Sequence, residues 1–253
     1  MNEAVLIVVA HPDDETLGCA HELLRRPGEC RILHTTDGAP FEARFWEQAG
    51  AASREAYAQS RHAELRSAME IFGIGERQIA TLPIADREAA RQLPALTAAI
   101  RETLLRDFPS VVYTHPFEGG HPDHDATALA VQRALAGLRA EGLAVPAHRE
   151  FTGYHARDGE FFSGAFLHVE GVVTEVPLSE EEQACKRAAL NEFHSQQRVI
   201  QRFALSPQRW RAAPRYDFTQ RPHAGPLYYE IREMGYSFEG FAALVRAWLD
   251  NAR

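Results

Sequence analysis

Unbroken apolar runs and amphipathic stretches alternate along the first half of the chain. Val5 to Ala10 is a continuous apolar run of the kind buried on both faces of a sheet. The stretch after it, through about Arg26, reads as a helix that ends before Pro27-Gly28. Cys30 to Thr36 reads as a second strand. Ser53 to Phe72 carries helical apolar spacing and stops at Gly73, a residue suited to a helix C-terminus, and a strand near Gln78 to Leu82 follows. Leu93 to Phe108 then reads as a helix, Ser110 to Thr114 as a strand and Asp123 to Arg139 as a helix. Strands and helices in alternation predict an α/β fold with a Rossmann-like, mostly parallel sheet flanked by helices.

Beyond Ala147 the pattern changes. Phe151 to His155 and Leu167 to Val176 read as strands around the turn signal Asp158-Gly159, which predicts an antiparallel addition. Glu180 to Phe203 reads as one long helix. Ser206 to Pro226, rich in proline, arginine and aromatics without periodicity, reads as a rim or lid-like loop, and Phe238 to Leu249 as a terminal amphipathic helix. The expectation is a single domain over 1–253, with 1–146 as the Rossmann-like core and 147–253 as the addition.

A length of 253 residues suits one large α/β domain. The net charge of -8, with no basic cluster, argues against nucleic acid as a partner. The apolar run from Ala4 to Ala10 is too short to span a bilayer and follows Glu3 instead of a basic region, so neither a signal nor a membrane anchor is expected. Cys19, Cys30 and Cys185 form no Cys-x-x-Cys pair, which suits a reducing compartment and a cytoplasmic location.

Two segments bring chemistry into this picture. His11-Pro12-Asp13-Asp14-Glu15 and His121-Pro122-Asp123-His124 each follow an apolar β-branched run and lead into a helix. Proline restricts the residue before it to extended backbone, so His11 and His121 should finish their strands. Acids in a first helical turn favour the positive end of the helix dipole, which accounts for the aspartates but not for histidine at 11, 121 and 124. Residues three apart across such a turn can point to one centre, which makes His11, Asp14, His121 and His124 four candidate ligands. Two imidazoles and a carboxylate suit zinc with a position left open, although other divalent ions accept the same donors. The turn after the first strand lacks Gly-x-Gly-x-x-Gly, which excludes a dinucleotide-binding module.

These motifs, with Thr36-Asp37-Gly38, Arg61 with Glu64, and Lys186 with His194-Ser195-Gln196, resemble the LmbE-like (PIG-L) family of zinc-dependent N-deacetylases. The resemblance implies one zinc ion held by His11, Asp14 and His124, with Asp13 as general base. It leaves His121 unligated, its protonated imidazole stabilising the oxyanion or protonating the leaving amine. It places Arg61 against a substrate oxygen, with Asp37 and His194 as further substrate contacts. Asp123 would fix a histidine tautomer and Glu15 would brace the turn. His115 is a lesser candidate. The approach Pro116-Phe117-Glu118-Gly119-Gly120 lacks a tyrosine that some relatives carry there, and Glu118 has no assigned role. The implied reaction is hydrolysis of an N-acetyl group on an amino sugar or glycoconjugate, by a chain that can be a homo-oligomer. An amidase acting on a larger acyl or thiol-conjugate amide, and a noncatalytic metal- or sugar-binding protein, are the competing expectations. Arg209, Arg211, Arg215 and Arg221 in the expected lid are candidates for binding an anion.

Overall fold

A computed structural model describes residues 4–168 and 171–251. In chain order its regular elements are β1 (Val5–Val9), α1 (Asp14–Arg25), β2 (Cys30–His34), α2 (Ala43–Gln48), α3 (Arg54–Ile71), β3 (Ile79–Thr81), α4 (Leu93–Asp107), β4 (Val111–Thr114), α5 (Pro122–Ala140), β5 (Ala147–Phe151), β6 (Tyr154–Arg157), β7 (Glu160–Ser163), β8 (Val173–Val176), α6 (Glu180–Glu192), α7 (Gln197–Ile200), β9 (Gln208–Ala212), α8 (Tyr228–Ile231) and α9 (Phe238–Asn251). Seven strands form one sheet in the order β3-β2-β1-β4-β5-β9-β8, and β6 and β7 form a separate hairpin. The strands from β3 to β5 are parallel, whereas β9 runs antiparallel to both β5 and β8. The mostly parallel α/β sheet with an antiparallel addition is therefore present.

All five side chains of β1 are buried because the strand is covered on both faces. Leu6 and Val8 enter the core shared with α4, α5 and α9, while Val5, Ile7 and Val9 enter the core under α1, α3 and α6. The chain passes from β1 to β2 on one side and later returns to β4 on the other. That reversal opens a crevice at the carboxyl ends of β1 and β4, the place where open α/β sheets bind ligands.

Helix α1, which leaves this crevice, is not regular: Cys19 has non-helical dihedrals. The carbonyl of Leu17 instead accepts from Lys186 Nζ (3.1 Å) and Gln208 Nε2 (2.9 Å). Two side chains from the second half of the molecule thus satisfy a backbone group beside the kink.

The C-terminal half departs from the sequence expectation in five places. Phe151 to His155 is not one strand: Phe151 ends β5, a parallel strand of the main sheet, and Tyr154 starts the β6–β7 hairpin. The turn Asp158-Gly159, with φ of 53° and 81°, joins those two short strands and not the longer segments expected. Of Leu167 to Val176 only Val173–Val176 is strand, and Val169 and Glu170 lie outside the described residues.

The long helix is capped reciprocally by Ser179 and Glu182 but breaks at Phe193, where Gln197 Nε2 takes over the carbonyls of Leu190 and Phe193. Finally, the expected lid contains β9, an interior strand of the main sheet. Among the described residues no helix is long and apolar enough to cross a membrane.

Candidate functional site

The loop between β1 and α1 is held in an unusual conformation. Asp13 has φ 126° and ψ −29°, a region an L-residue enters at a cost of about 1–3 kcal/mol unless its surroundings impose it. The surroundings are dense. Asp13 N–H donates to Glu15 Oε2 (3.1 Å), and that carboxylate also meets His34 Nε2 (3.0 Å) and accepts from Thr16 Oγ1 (2.6 Å). From α3, Arg61 Nη2 donates to Pro12 O (2.7 Å) and Asp13 Oδ2 (3.3 Å). Gly38, at φ 67°, lets Arg61 through: a Cβ there would sit 2.9 Å from Arg61 Nε.

Four buried imidazoles converge on this turn, and their hydrogen bonds determine which nitrogens retain a free lone pair. His121 is the residue capping α5, and its Nδ1 accepts from Asp123 N–H (3.2 Å), so its ring proton is on Nε2. His115 Nε2 accepts from Ala10 N–H (2.9 Å), which places its proton on Nδ1. His11 Nε2 faces Asp123 Oδ2 (3.3 Å) and Asp86 Oδ1 (3.2 Å), and its Nδ1 lies 3.3 Å from Asp14 Oδ2. Despite burial, Asp86, Asp123 and Asp14 hold this imidazole well above its ordinary range, and the Nδ1 proton facing Asp14 is the one a cation would replace. His124 Nε2 lies 3.4 Å from Asp14 Oδ1.

Distance alone groups the donors in three overlapping sets: His11, His121 and His124; His11, Asp86, His121 and Asp123; and Asp14, His115 and His124. Lone-pair accounting is more selective, because His121 and His115 have committed theirs to backbone N–H groups. His11 Nδ1, Asp14 and His124 Nε2 remain; they draw on two of the three groups and form none of them alone, but two imidazoles and a carboxylate are donors that suit a small divalent cation. The local charge balance fits one as well, since Asp14, Asp86 and Asp123 lie against the imidazoles, while Arg61 is paired with Asp13 at the edge of the cluster.

Protonation follows the same geometry. Burial and the neighbouring His11 hold the His121 imidazole well below its ordinary range, with Asp86 opposing. This differs from the protonated His121 expected from the sequence: a neutral ring whose Nδ1 is engaged presents Nε2–H. Burial and His124 push His115 down to about 3. Burial pushes the Asp13 carboxyl up to about 8, against the pull of Arg61. Asp14 is held well below the usual carboxylate range because His124 and His115 outweigh its burial.

Asp86 is the functional candidate that sequence reasoning missed. It follows β3 in Pro83-Ile84-Ala85-Asp86, with no histidine near it and no proline next to it to signal a motif. Only tertiary packing brings it to His11 and to His121 Nε2 (3.6 Å). Asp123 is completely buried and accepts from Arg87 N–H (2.5 Å) and Ala89 N–H (3.1 Å) as well as facing His11. The loop before His121 is ordered by Asp125, which accepts from the N–H groups of Glu118 and Gly119. Glu118 itself pairs with His155 Nδ1 at 3.0 Å. Tyr154, on the hairpin, has its ring centroid 5.4 Å from that of His124 and joins Phe161, Phe203 and Tyr228 in an aromatic wall.

Other sequence candidates have different surroundings. His115 stacks on His124 with centroids 3.9 Å apart. Asp37 is bound to Arg54 (2.5 Å) and accepts from Ala39 N–H. His194 is exposed at the helix break, where its neighbour Ser195 is bound to Glu64; Glu64 thus anchors the break and makes no ion pair with Arg61. Arg211 is buried on Glu150, Arg209 is paired with Glu175, and Arg221 bridges Glu230 and Glu239, so these three arginines have internal partners.

Fold and site together define an α/β protein with a candidate divalent-cation centre at the switch point of its sheet. The PIG-L family, described as GlcNAc-PI de-N-acetylase, matches residues 6–135, slightly more than half of the sequence, and the chain belongs to that family. It is 32% identical over 138 residues to the probable N-acetyl-alpha-D-glucosaminyl L-malate deacetylase 2 of Bacillus subtilis, covering 53% of this chain and 62% of that protein. It is 29% identical over 175 residues to the 1D-myo-inositol 2-acetamido-2-deoxy-alpha-D-glucopyranoside deacetylase of Kineococcus radiotolerans, covering 56% of this chain and 48% of that protein. The matches thus span less than two thirds of either relative. A deacetylase–teicoplanin complex from the teicoplanin biosynthesis pathway has the same fold, with TM-score 0.65 at 15% identity over 85% of this chain and all of that one.

Proposed function

We propose that this chain is a metal-dependent hydrolase that removes the acetyl group from an N-acetylated amino-sugar conjugate. The observation that carries the reading is the placement of two proton-handling groups beside one donor set. Asp13 adjoins Asp14 on one side, and His121 presents Nε2–H beside His11 and Asp86 on the other. The two curated relatives, whose names specify acetylated glucosaminyl conjugates, support the substrate class.

A divalent cation held by His11, Asp14 and His124, zinc being the first choice, would supply Lewis acidity to the amide carbonyl and to water. Asp13 takes the proton of the attacking water. Its carboxylate is kept in place by Arg61 and by the strained turn, and burial raises its basicity. His121 donates its Nε2–H to the carbonyl oxygen as that oxygen gains charge, and a neutral donor held by its own N-cap bond needs no reorganisation to do so. Asp13, now protonated, passes its proton to the departing amine. Asp86 and Asp123 keep the His11 proton on Nε2, and Asp123 also supplies the backbone N–H that fixes His121.

The test is acetate release from N-acetylglucosamine conjugates by zinc-loaded protein, beside chelator-treated protein and the variants Asp13→Asn and His124→Ala. Release should require the metal and His124. Asp13→Asn should lower kcat by about 10²–10⁴-fold with zinc still bound. Full activity of Asp13→Asn with metal bound would remove the base assignment.

A further inference from the structure

The β6–β7 hairpin takes no part in the chemistry above, yet it is fastened to the loop that leads into His121. A Cβ on Gly120 would lie 2.0 Å from Tyr154 O, and one on Gly153 would lie 2.5 Å from Glu118 Oε1, so glycine at both positions permits the approach. Glu118, 2% exposed, meets His155 Nδ1 at 3.0 Å across the same contact. From α8, Tyr228 N–H donates to Gly119 O (2.9 Å). Four rings pack on this frame. Tyr154 stacks on Phe161 with centroids 5.0 Å apart and meets Phe203 and Tyr228 edge-on at 5.9 and 5.5 Å. The Arg202 guanidinium lies over the Phe161 ring at 3.7 Å, and its Nη1 donates to Tyr228 Oη (2.8 Å).

Tyr154 is where this aromatic box reaches the donor cluster, its centroid 5.4 Å from that of His124. A ring packed against three others, on a backbone locked to the neighbouring loop, has no room to give way. The space between it and the cluster is therefore fixed. An amide has two groups to place around such a centre. The amine carries a conjugate and needs an open path. Cavities adjoin the site at Asp86 and at Pro12, and none of the four rings lines either of them. The acyl group needs no exit, and a closed aromatic wall suits a methyl group while leaving sugar hydroxyls without partners.

We propose that Tyr154 is the specificity-determining residue for the acyl group: its ring closes the acyl pocket and limits the substrate to N-acetyl. The inference rests on the deacetylase reading and excludes the larger acyl groups that the sequence left open. N-propionyl and N-butyryl analogues of the best N-acetyl substrate are compared with zinc-loaded protein. In the wild type kcat/KM should fall about tenfold or more with each added methylene. Tyr154→Ala and Tyr154→Leu should each raise the butyryl-to-acetyl ratio at least tenfold, whereas Tyr154→Phe, which keeps the ring, should leave that ratio unchanged.

Calorimetric titration with acetate and butyrate probes the same space without turnover. The wild type should favour acetate at least tenfold, and Tyr154→Leu should bind butyrate at least as tightly as acetate. No acetate from any amide overturns the function and leaves the carboxylate titration to decide the wall. Equal affinity of the wild type for the two carboxylates, or a substrate ratio unmoved in both ring-deleting variants, overturns the wall. The same relaxation in Tyr154→Phe assigns the effect to the hydroxyl and overturns it too.

Discussion

At the residue scale the site is a matter of which atom holds each proton. The motifs His11-Pro12-Asp13-Asp14-Glu15 and His121-Pro122-Asp123-His124 were legible because histidine before proline at two strand ends has no simple structural explanation. The commitment of His121 Nδ1 and His115 Nε2 to backbone N–H groups was not legible, since it depends on ring orientation after folding. Asp86 was invisible for a related reason: one aspartate after a short strand has no spacing that distinguishes it. Glu15, completely buried, touches Asp13 N–H, Thr16 and His34. Replacing it leaves His34 and the Asp13 N–H unpaired in the interior, so Glu15→Ala should cost about 3–5 kcal/mol in urea unfolding. A loss under 1 kcal/mol would mean that solvent reaches this network.

At the element scale, helix α1 connects the site to the second half of the chain. Its N-terminal turn carries Asp14 and Glu15, and its kink at Cys19 depends on Lys186 and Gln208, which satisfy the Leu17 carbonyl. Helix propensity favours alanine over glycine at position 18 by about 1 kcal/mol. Packing opposes it, because a Cβ on Gly18 would lie 2.2 Å from the Phe151 ring on β5. Overpacking of this kind costs about 1–3 kcal/mol, so Gly18→Ala should lower the thermal midpoint, and the double variant Gly18→Ala/Phe151→Leu should recover part of the loss. Recovery distinguishes the ring contact from an effect on the helix alone. Short elements were the ones the sequence obscured. The strands β7 and β9 and the helices α2 and α8 span four to six residues each, too few to establish a period. Arg211 in β9 reads as a rim residue in the sequence because its buried partner Glu150 lies 61 positions away.

For the whole molecule, Lys186 provides a measurable link between burial and pH. It is completely buried between the carbonyls of Leu17 and Leu205, and burial lowers its amine to about 7 from 10.5. Between those values the unfolded chain holds a proton that the folded chain has lost, so raising the pH favours folding. From pH 7 to pH 9 this contributes roughly 2 kcal/mol, because a tenfold change in proton activity is worth about 1.4 kcal/mol for each proton that distinguishes the two states. Denaturant unfolding should show the wild type gaining that amount relative to Lys186→Met between pH 7 and pH 9, the other groups titrating alike in both. Equal pH dependence in both proteins would mean that the folded chain keeps the proton throughout this range. The sequence by itself determined the α/β class, the parallel core and the two motifs, because hydrophobic periodicity and proline act within a few residues. Tertiary structure alone decided the strand order, the place of β5 and β9 in one sheet, the approach of Asp86 and the imidazole tautomers. Each of these arises from contacts between residues far apart in the chain, for which local spacing carries no signal.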